Sequence, residues 1–463
     1  MTNHAVIRLT ASVAAAALCG CAPAGSGVPP AIGAAAADPL AINLDGVVQA
    51  FLEAEPSIPG AQVAVWKNGR PILSRGYGVA ERETGRAVDS TTVFRIASVT
   101  KQFTAAAVVR LAEEGRLSLD DPLADWVPEY PTGEHVVRLR HLLTHTSGIH
   151  DHGEPWTERP EESLSREGLL AFTRGRPLLF SPGERHQYSN MGYLLLGMVI
   201  ERASGRSYAE YVRAALEAPL GLASISECPD TPAPRHARGY RITDDGLGPA
   251  RAISMTQHFS AGGLCATAED LVRWSHALIA GHVVSAASVR EMTTPPAVRS
   301  GTTPYGFGLG MGDPGGVHRI SHTGLIAGFA SELAYYPEHD LAIAVLFNTE
   351  SSPPSRLATL LARTALGVEL PLVEDLDTPP ELLARYAGLY DLGPLQLRVF
   401  AREGKLWLQA TDQPPNRLLF QGADEFRLAF DPAVRLVFQV DGGRASSLVL
   451  HQGGAALEAV RVN

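Results

Sequence analysis

The chain has 463 residues, 45% of them hydrophobic and 19% charged, with 45 Gly and 33 Pro. Its length exceeds the roughly 250–300 residues at which a single core stops growing, so two domains are expected, and its apolar content excludes a disordered or collagen-like chain. A formal charge of −10 is a poor electrostatic footprint for nucleic acid.

At the N-terminus a single Arg8 precedes an Ala-rich apolar run and then small residues, which reads as a signal peptide over 1–20 rather than a spanning helix. Leu18-Cys19-Gly20-Cys21 resembles a bacterial lipobox, implying cleavage before Cys21 and lipid on its thiol; ordinary cleavage after Ala22-Pro23-Ala24 is the alternative. Residues 21–40, rich in Ala, Gly and Pro, read as a flexible tether. The expected destination is the periplasm or cell envelope, with membrane contact through a lipid anchor only.

Residues 61–80 predict two strands around an Asn68-Gly69 turn, and 96–114 an apolar helix stopped by Gly115. A mixed helical stretch runs to about residue 280. Strands return at 305–311, 317–323, 329–336 and 341–347, followed by a helix over 355–366. Strands at both ends with helices between predict one antiparallel sheet closed by distant parts of the chain, occupying a domain over 41–370. Beyond a Pro-rich linker at 371–380, short alternating strands such as KLWLQA and RLVFQV predict an all-β unit over 381–463, a barrel or a sandwich. The expected class is α+β: an antiparallel sheet flanked by helices, with a helical subdomain, plus a C-terminal barrel-like domain.

Several signals point nowhere in particular. There is no G-x-S-x-G, H-E-x-x-H or G-x-x-x-x-G-K-[ST]. Gly310-x-Gly312-x-x-Gly315 matches the dinucleotide fingerprint, but Pro314 and a following strand replace the required helix, so it reads as a hairpin turn. His141 and His145, with His150 and His152 after them, lack a convincing acid or cysteine partner and read as a structural set around a turn; no metal is expected. Cys228 and Cys265 could pair in an exported protein, yet one bridge in so long a chain is no framework, and free thiols are the simpler expectation.

The basic residues are more informative. Of 39 only Lys67, Lys101 and Lys405 are lysines. Lys67 and Lys405 sit in apparent turns, whereas Lys101 sits in an otherwise apolar helix. Ser98 stands three residues before it, on the same helix face. A serine hydroxyl needs an adjacent base to become a nucleophile, and a lysine serves if burial and the positive helix end favour its neutral form. Two later pieces carry further polar groups: Tyr188-Ser189-Asn190, where Asn190 could equally cap the following helix, and His322-Thr323-Gly324 on a strand. Strand periodicity puts His322 and Gly324 on one face and Thr323 on the other.

Together these three segments resemble the penicillin-recognising serine hydrolases: class C β-lactamases, D-Ala-D-Ala carboxypeptidases, D-aminopeptidases and related esterases. The likeness spans roughly residues 45–370 and includes GYGVAERETGR and HLLTHTSGI. It implies a β-lactamase/transpeptidase-like fold in which Ser98 is acylated, Lys101 is the general base and Tyr188 the partner acid and base. Asn190, His322, Thr323 and Gly324 would bind substrate, and the Ser98 and Leu325 amides would form the oxyanion hole, with no cofactor. Where Lys-Thr-Gly is usual in the β-lactamases, His322-Thr323-Gly324 instead resembles D-peptide hydrolases and some esterases. An unperturbed histidine titrates near ~6.5, which predicts recognition of a substrate carboxylate that fades as pH rises through that value. The unit from about Glu381 resembles the small β-barrels appended to D-aminopeptidases, either a lid on the site or a stabilising module. The expected activity is cleavage of an amide or ester, on peptides containing D-amino acids; a promiscuous esterase or weak β-lactamase, and an acylated sensor without turnover, are the alternatives.

Overall fold

A computed structural model of the chain describes residues 38–462 apart from 152–158, 244–245, 301–303, 369–372, 374, 377, 394–395, 403, 411–414, 430–433 and 453–454. The leader, Cys21, most of the tether and His152 lie outside the described residues. The stretch read as tether ends in a helix, α1 (Pro39–Ala54), whose first turn is closed by Asp38 accepting from Leu40 N.

The 61–80 hairpin forms as β1 (Gly60–Lys67) and β2 (Arg70–Glu81), with both turn residues at positive φ, Asn68 at 53° and Gly69 at 67°. A short β3 (Arg86–Ala87) extends it. The later strands are β4 (Gly310–Gly312), β5 (Arg319–Ile326), β6 (Phe329–Tyr336) and β7 (Leu341–Phe347). They assemble as β3-β2-β1-β7-β6-β5-β4, antiparallel throughout, and β1 pairs β7 from Ala61↔Phe347 to Lys67↔Leu341. Every residue of β6 and β7 is buried, which is why both read as almost unbroken apolar runs. Only part of the strand expected at 305–311 forms. Gly308 turns there at φ +69° beneath Lys101, so close that a Cβ would lie 2.5 Å from the Lys101 carbonyl oxygen.

One sheet face is covered by α1 and a C-terminal helix. Leu44 and Val48 of α1, with Leu357 and Leu361 of residues 354–366, pack on Val63, Val65, Ile343 and Val345. The other face carries the larger core, built on α2 (Thr100–Glu113), α3 (Asn190–Ser204) and α4 (Ala268–Ile279). Phe103 of α2 stacks on Trp274 of α4 at 4.0 Å between ring centroids. The free-thiol expectation fails: Cys228 and Cys265 form a disulfide. Two short segments, Ser226–Glu227 and Leu264–Ala266, pair antiparallel and bring the two Cα atoms to 5.1 Å, within bridging range.

The C-terminal unit is a barrel rather than a sandwich. Its strands are β8 (Gly388–Asp391), β9 (Gln396–Arg402), β10 (Lys405–Ala410), β11 (Asn416–Gly422), β12 (Glu425–Leu428), β13 (Arg435–Asp441), β14 (Arg444–Gln452) and β15 (Ala455–Val462). Each pairs with its neighbour in sequence, and β15 closes on β8. Tyr386, Tyr390, Phe426 and Phe438 fill the interior, ring against ring.

Candidate active site

Ser98 lies in the single 3-10 turn Ala97–Val99 that runs straight into α2. Ala97 holds φ at +47°, a conformation L-residues rarely adopt and one that costs free energy of order 1–3 kcal/mol. Two neighbours hold the turn there. Strand β5 passes so close that a Cβ on Gly324 would come within 2.3 Å of the Ile96 carbonyl oxygen, and Ser331 Oγ donates to that same oxygen at 2.8 Å. On the far side Ile96 N donates to Leu264 O, and Leu264 N to Thr100 Oγ1.

One turn on, Lys101 is completely buried. Its Nζ is 2.7 Å from Asn190 Oδ1, 2.7 Å from the Ala261 carbonyl oxygen and 3.1 Å from Ser98 Oγ. Burial depresses its pKa from 10.5 to about 7, against the opposing pull of the Asp151 carboxylate. Neutral lysine has two N–H bonds and one lone pair. In that form the two pure acceptors take the N–H bonds and the lone pair is left for Ser98 Oγ, to which the protonated form donates.

Asn190 is the first residue of α3, and the helix is capped by others: Ser189 Oγ accepts from Gly192 N, and Asp151 accepts from Asn190 N at 2.8 Å and Met191 N at 3.1 Å. Asp151 also accepts from Asn190 Nδ2 at 3.1 Å, which turns Oδ1 toward Lys101. Tyr188 precedes this cap. Its hydroxyl is hydrogen-bonded to Ser98 while its ring is about a third exposed, and its face stands 4.9 Å from Lys101 Nζ. Burial of the hydroxyl end pushes its pKa well above 10, so at neutral pH it rests as the phenol.

His145, at φ +56°, packs its ring 4.2 Å from Tyr188, 5.1 Å from Tyr193 and 4.7 Å from Tyr305. Its Nδ1 accepts from Ser189 N, and burial holds it far below its usual pKa. His145, one of the histidines read as a structural set, thus packs against residues of the site itself.

His322 is buried, its Nδ1 donating to Thr323 O at 2.6 Å and its Nε2 accepting from the Tyr305 hydroxyl at 2.7 Å. Burial, with the Lys101 charge adding to it, lowers its pKa to about 3. The ring is therefore neutral across physiological pH and both nitrogens are engaged within the protein. A pKa held this low removes the basis for the expected titration near neutrality. Burial alternates along β5 so that His322 and Gly324 share the inner face, while Thr323 stands opposite Glu332 on the other. Leu325, half-buried, sits one pair before the β5–β6 turn.

The structure thus gathers Ser98, Lys101, Tyr188, Asn190, His322 and Gly324 around one point. Sequence reasoning missed Asp151 and Tyr305. Asp151 had a faint signal, an acid next to the histidine run; Tyr305 had none. Among the described residues no group of three or more His, Cys, Asp or Glu side chains is placed to hold a metal ion. Chemically, the arrangement offers a hydroxyl beside an amine whose pKa is depressed to about 7, with a phenol as a second proton carrier.

Comparison with known proteins agrees with this chemistry. Residues 44–366 match the Beta-lactamase family. Penicillin-binding protein 4* of Bacillus subtilis is 26% identical over 432 residues, 85% of this chain and 93% of that protein. A D-aminopeptidase of Brucella canis is 28% identical over 338 residues, covering 70% of this chain but only 64% of the relative. A D-amino acid amidase of Ochrobactrum anthropi, solved with D-phenylalanine, superposes with a TM-score of 0.61 at 25% identity, over 70% of this chain and 98% of its own.

Proposed function

The chain belongs to the Beta-lactamase family and is a serine hydrolase, and from that premise we propose that it cleaves an amide or ester bond in substrates of the D-amino-acid peptide class through a Ser98 acyl-enzyme. The observation that carries this reading is the Nζ of a fully buried Lys101 standing 3.1 Å from Ser98 Oγ, with its pKa depressed to about 7. Lys101 takes the serine proton as Oγ attacks the carbonyl carbon. The tetrahedral oxyanion is received by the amides of Ser98 and Leu325, donors of a kind worth several kcal/mol in order of magnitude. Tyr188, resting as the phenol, protonates the leaving group; its phenolate then takes a proton from the water that attacks the acyl-enzyme, and Lys101 returns its proton to Ser98 Oγ as the acid leaves. Asn190 orients Lys101 and offers its second amide hydrogen to the substrate. Gly324, where a Cβ would strike the Ile96 carbonyl oxygen, lets the strand close on the Ser98 turn.

The D-peptide class is supported by the D-aminopeptidase and D-amino acid amidase likenesses and by a local fact. The position that would meet a substrate carboxylate carries a neutral, fully engaged His322. Substrates with an amide, ester or free amine there fit better than β-lactams, which places weak β-lactamase activity second. Export with a lipid on Cys21 belongs to the same proposal and is carried by the leader pattern alone.

The test is a panel of D-peptide amides, L-peptide amides, p-nitrophenyl esters and a chromogenic β-lactam, run on wild type and Ser98→Ala. Turnover of D-amides above L-amides, lost in Ser98→Ala, is expected. Adducts that persist for hours without product would make the protein a sensor instead.

A further inference from the structure

The β5–β6 hairpin turns at Ala327-Gly328, just past Leu325, and the turn is tied to a carboxylate: Gly328 N donates to Glu350 Oε2 at 2.6 Å. Glu350 lies three residues beyond β7 and is only partly exposed. Burial pushes its pKa up, while the guanidiniums of Arg241 and Arg402 pull it back. Arg241 belongs to the catalytic domain, in the small hairpin at 240–249. Arg402 is the last residue of β9, so it comes from the barrel; it also donates to Ile242 O in that small hairpin and stands 5.7 Å from the Trp407 ring. Beside this contact runs a narrow cleft whose walls include Leu325, Ala330 and Glu350 on one side and Trp407, Asn416 and Arg417 on the other. The barrel thus reaches the back of the hairpin that carries the second oxyanion amide.

Ile242 N in turn donates to Ser351 Oγ at 3.4 Å, next to Glu350. We propose that Arg402, acting through Ile242 and the Glu350-Ser351 segment, is a positioning residue for hydrolysis: it holds the β5–β6 turn so that the Leu325 amide stays aimed at the oxyanion. The barrel is then part of the hydrolytic apparatus without touching substrate. This rests on the acyl-enzyme reading above, in which Leu325 supplies that amide. A misplaced donor weakens the transition state more than the ground state, so its loss falls on kcat rather than KM.

The experiment uses the full chain with a p-nitrophenyl ester as substrate and phenylboronic acid as a tetrahedral mimic. Arg402→Ala is expected to lower kcat by about tenfold or more and to weaken boronate binding in parallel, with KM within about twofold. Arg402→Lys should restore most of the loss, because it returns a charged donor for Ile242 O. Glu350→Gln keeps an acceptor for Gly328 and should show a smaller deficit in the same direction, which serves if Arg402→Ala folds poorly. A wild-type kcat in both Arg402→Ala and Glu350→Gln, with Ser98→Ala inactive, would overturn the positioning role alone. Turnover retained by Ser98→Ala would overturn the acyl-enzyme reading instead.

Discussion

The sheet-and-helix region and the barrel each set a cation against aromatic rings, and they treat it in opposite ways. In the barrel, Arg461 lies against Tyr390, 5.6 Å from its ring centroid, and donates to the carbonyl oxygens of Arg385, Ala387 and Ala445. In the catalytic domain, Lys101 stands near the Tyr188 and Tyr193 rings with two carbonyl-type acceptors and a serine hydroxyl. Arginine cannot release its proton in a protein, so three backbone acceptors make Arg461 a fixed strut. Lysine can, and its site offers one partner fewer of the purely accepting kind than an ammonium needs. The difference separates a cation used for structure from one used for proton transfer.

The largest way to break the comparison is to make the catalytic cation behave like the structural one. Lys101→Arg should lower kcat/KM by about 10³-fold or more, the upper range for loss of a general base, while circular dichroism stays native. A loss below about tenfold would make Lys101 a strut as well. Titration sharpens the same point. Because the base must be unprotonated and its pKa is about 7, kcat/KM should rise from acid pH to a plateau with a midpoint near 7. Stability carries the same signature: the unfolded chain holds this proton up to about 10.5, so the fold gains stability as pH rises from 7 toward that value. Lys101→Met should remove that gain, read as the difference in thermal midpoint between pH 7 and pH 9.

Smaller effects come from the barrel. Arg461→Met removes a donor that three carbonyl groups share and should cost about 2 kcal/mol in denaturant unfolding, with kcat/KM changed by no more than about twofold. The smallest expected effect is none at all. The ratio of kcat/KM for matched acidic and amidated substrates should be flat from about pH 5.5 to 8.5, the window around an ordinary histidine pKa, because His322 is neutral throughout it. A sigmoidal change in that window would mean that the ring titrates there after all.

Ser98 and Lys101 were legible because their relation is local, three residues on one helix. β6 and β7 were legible to the residue because continuous apolar runs end at turn residues. What escaped depends on tertiary contact. Asp151 is one loop acid among many until Asn190 is brought to it, and the Cys228–Cys265 bridge exists only because two short strands meet beside the Ser98 turn. The His322 titration was read differently for the same reason, since the burial that lowers its pKa is created by packing against segments distant in sequence, Tyr305 among them. In the barrel, β8, β11, β12 and β15 were not singled out, being short or interrupted in their alternation.

The pairing of β1 with β7 also dictates an order of assembly. As the chain emerges from its N-terminus, residue 61 is available long before residue 347, the partner it needs. Until then β1 can pair only with β2, its other edge stays open, and the sheet's middle cannot close. Such non-local closure is entropically costly and slow, whereas the barrel, built almost wholly from neighbouring hairpins, pays that cost once, when β15 reaches β8. A nascent chain cut off before Leu341 would therefore hold Ser98, Lys101, Tyr188 and His322 and still expose β1 and β6 as sticky edges, so the last strand of the catalytic sheet marks the point at which the protein stops being prone to aggregate.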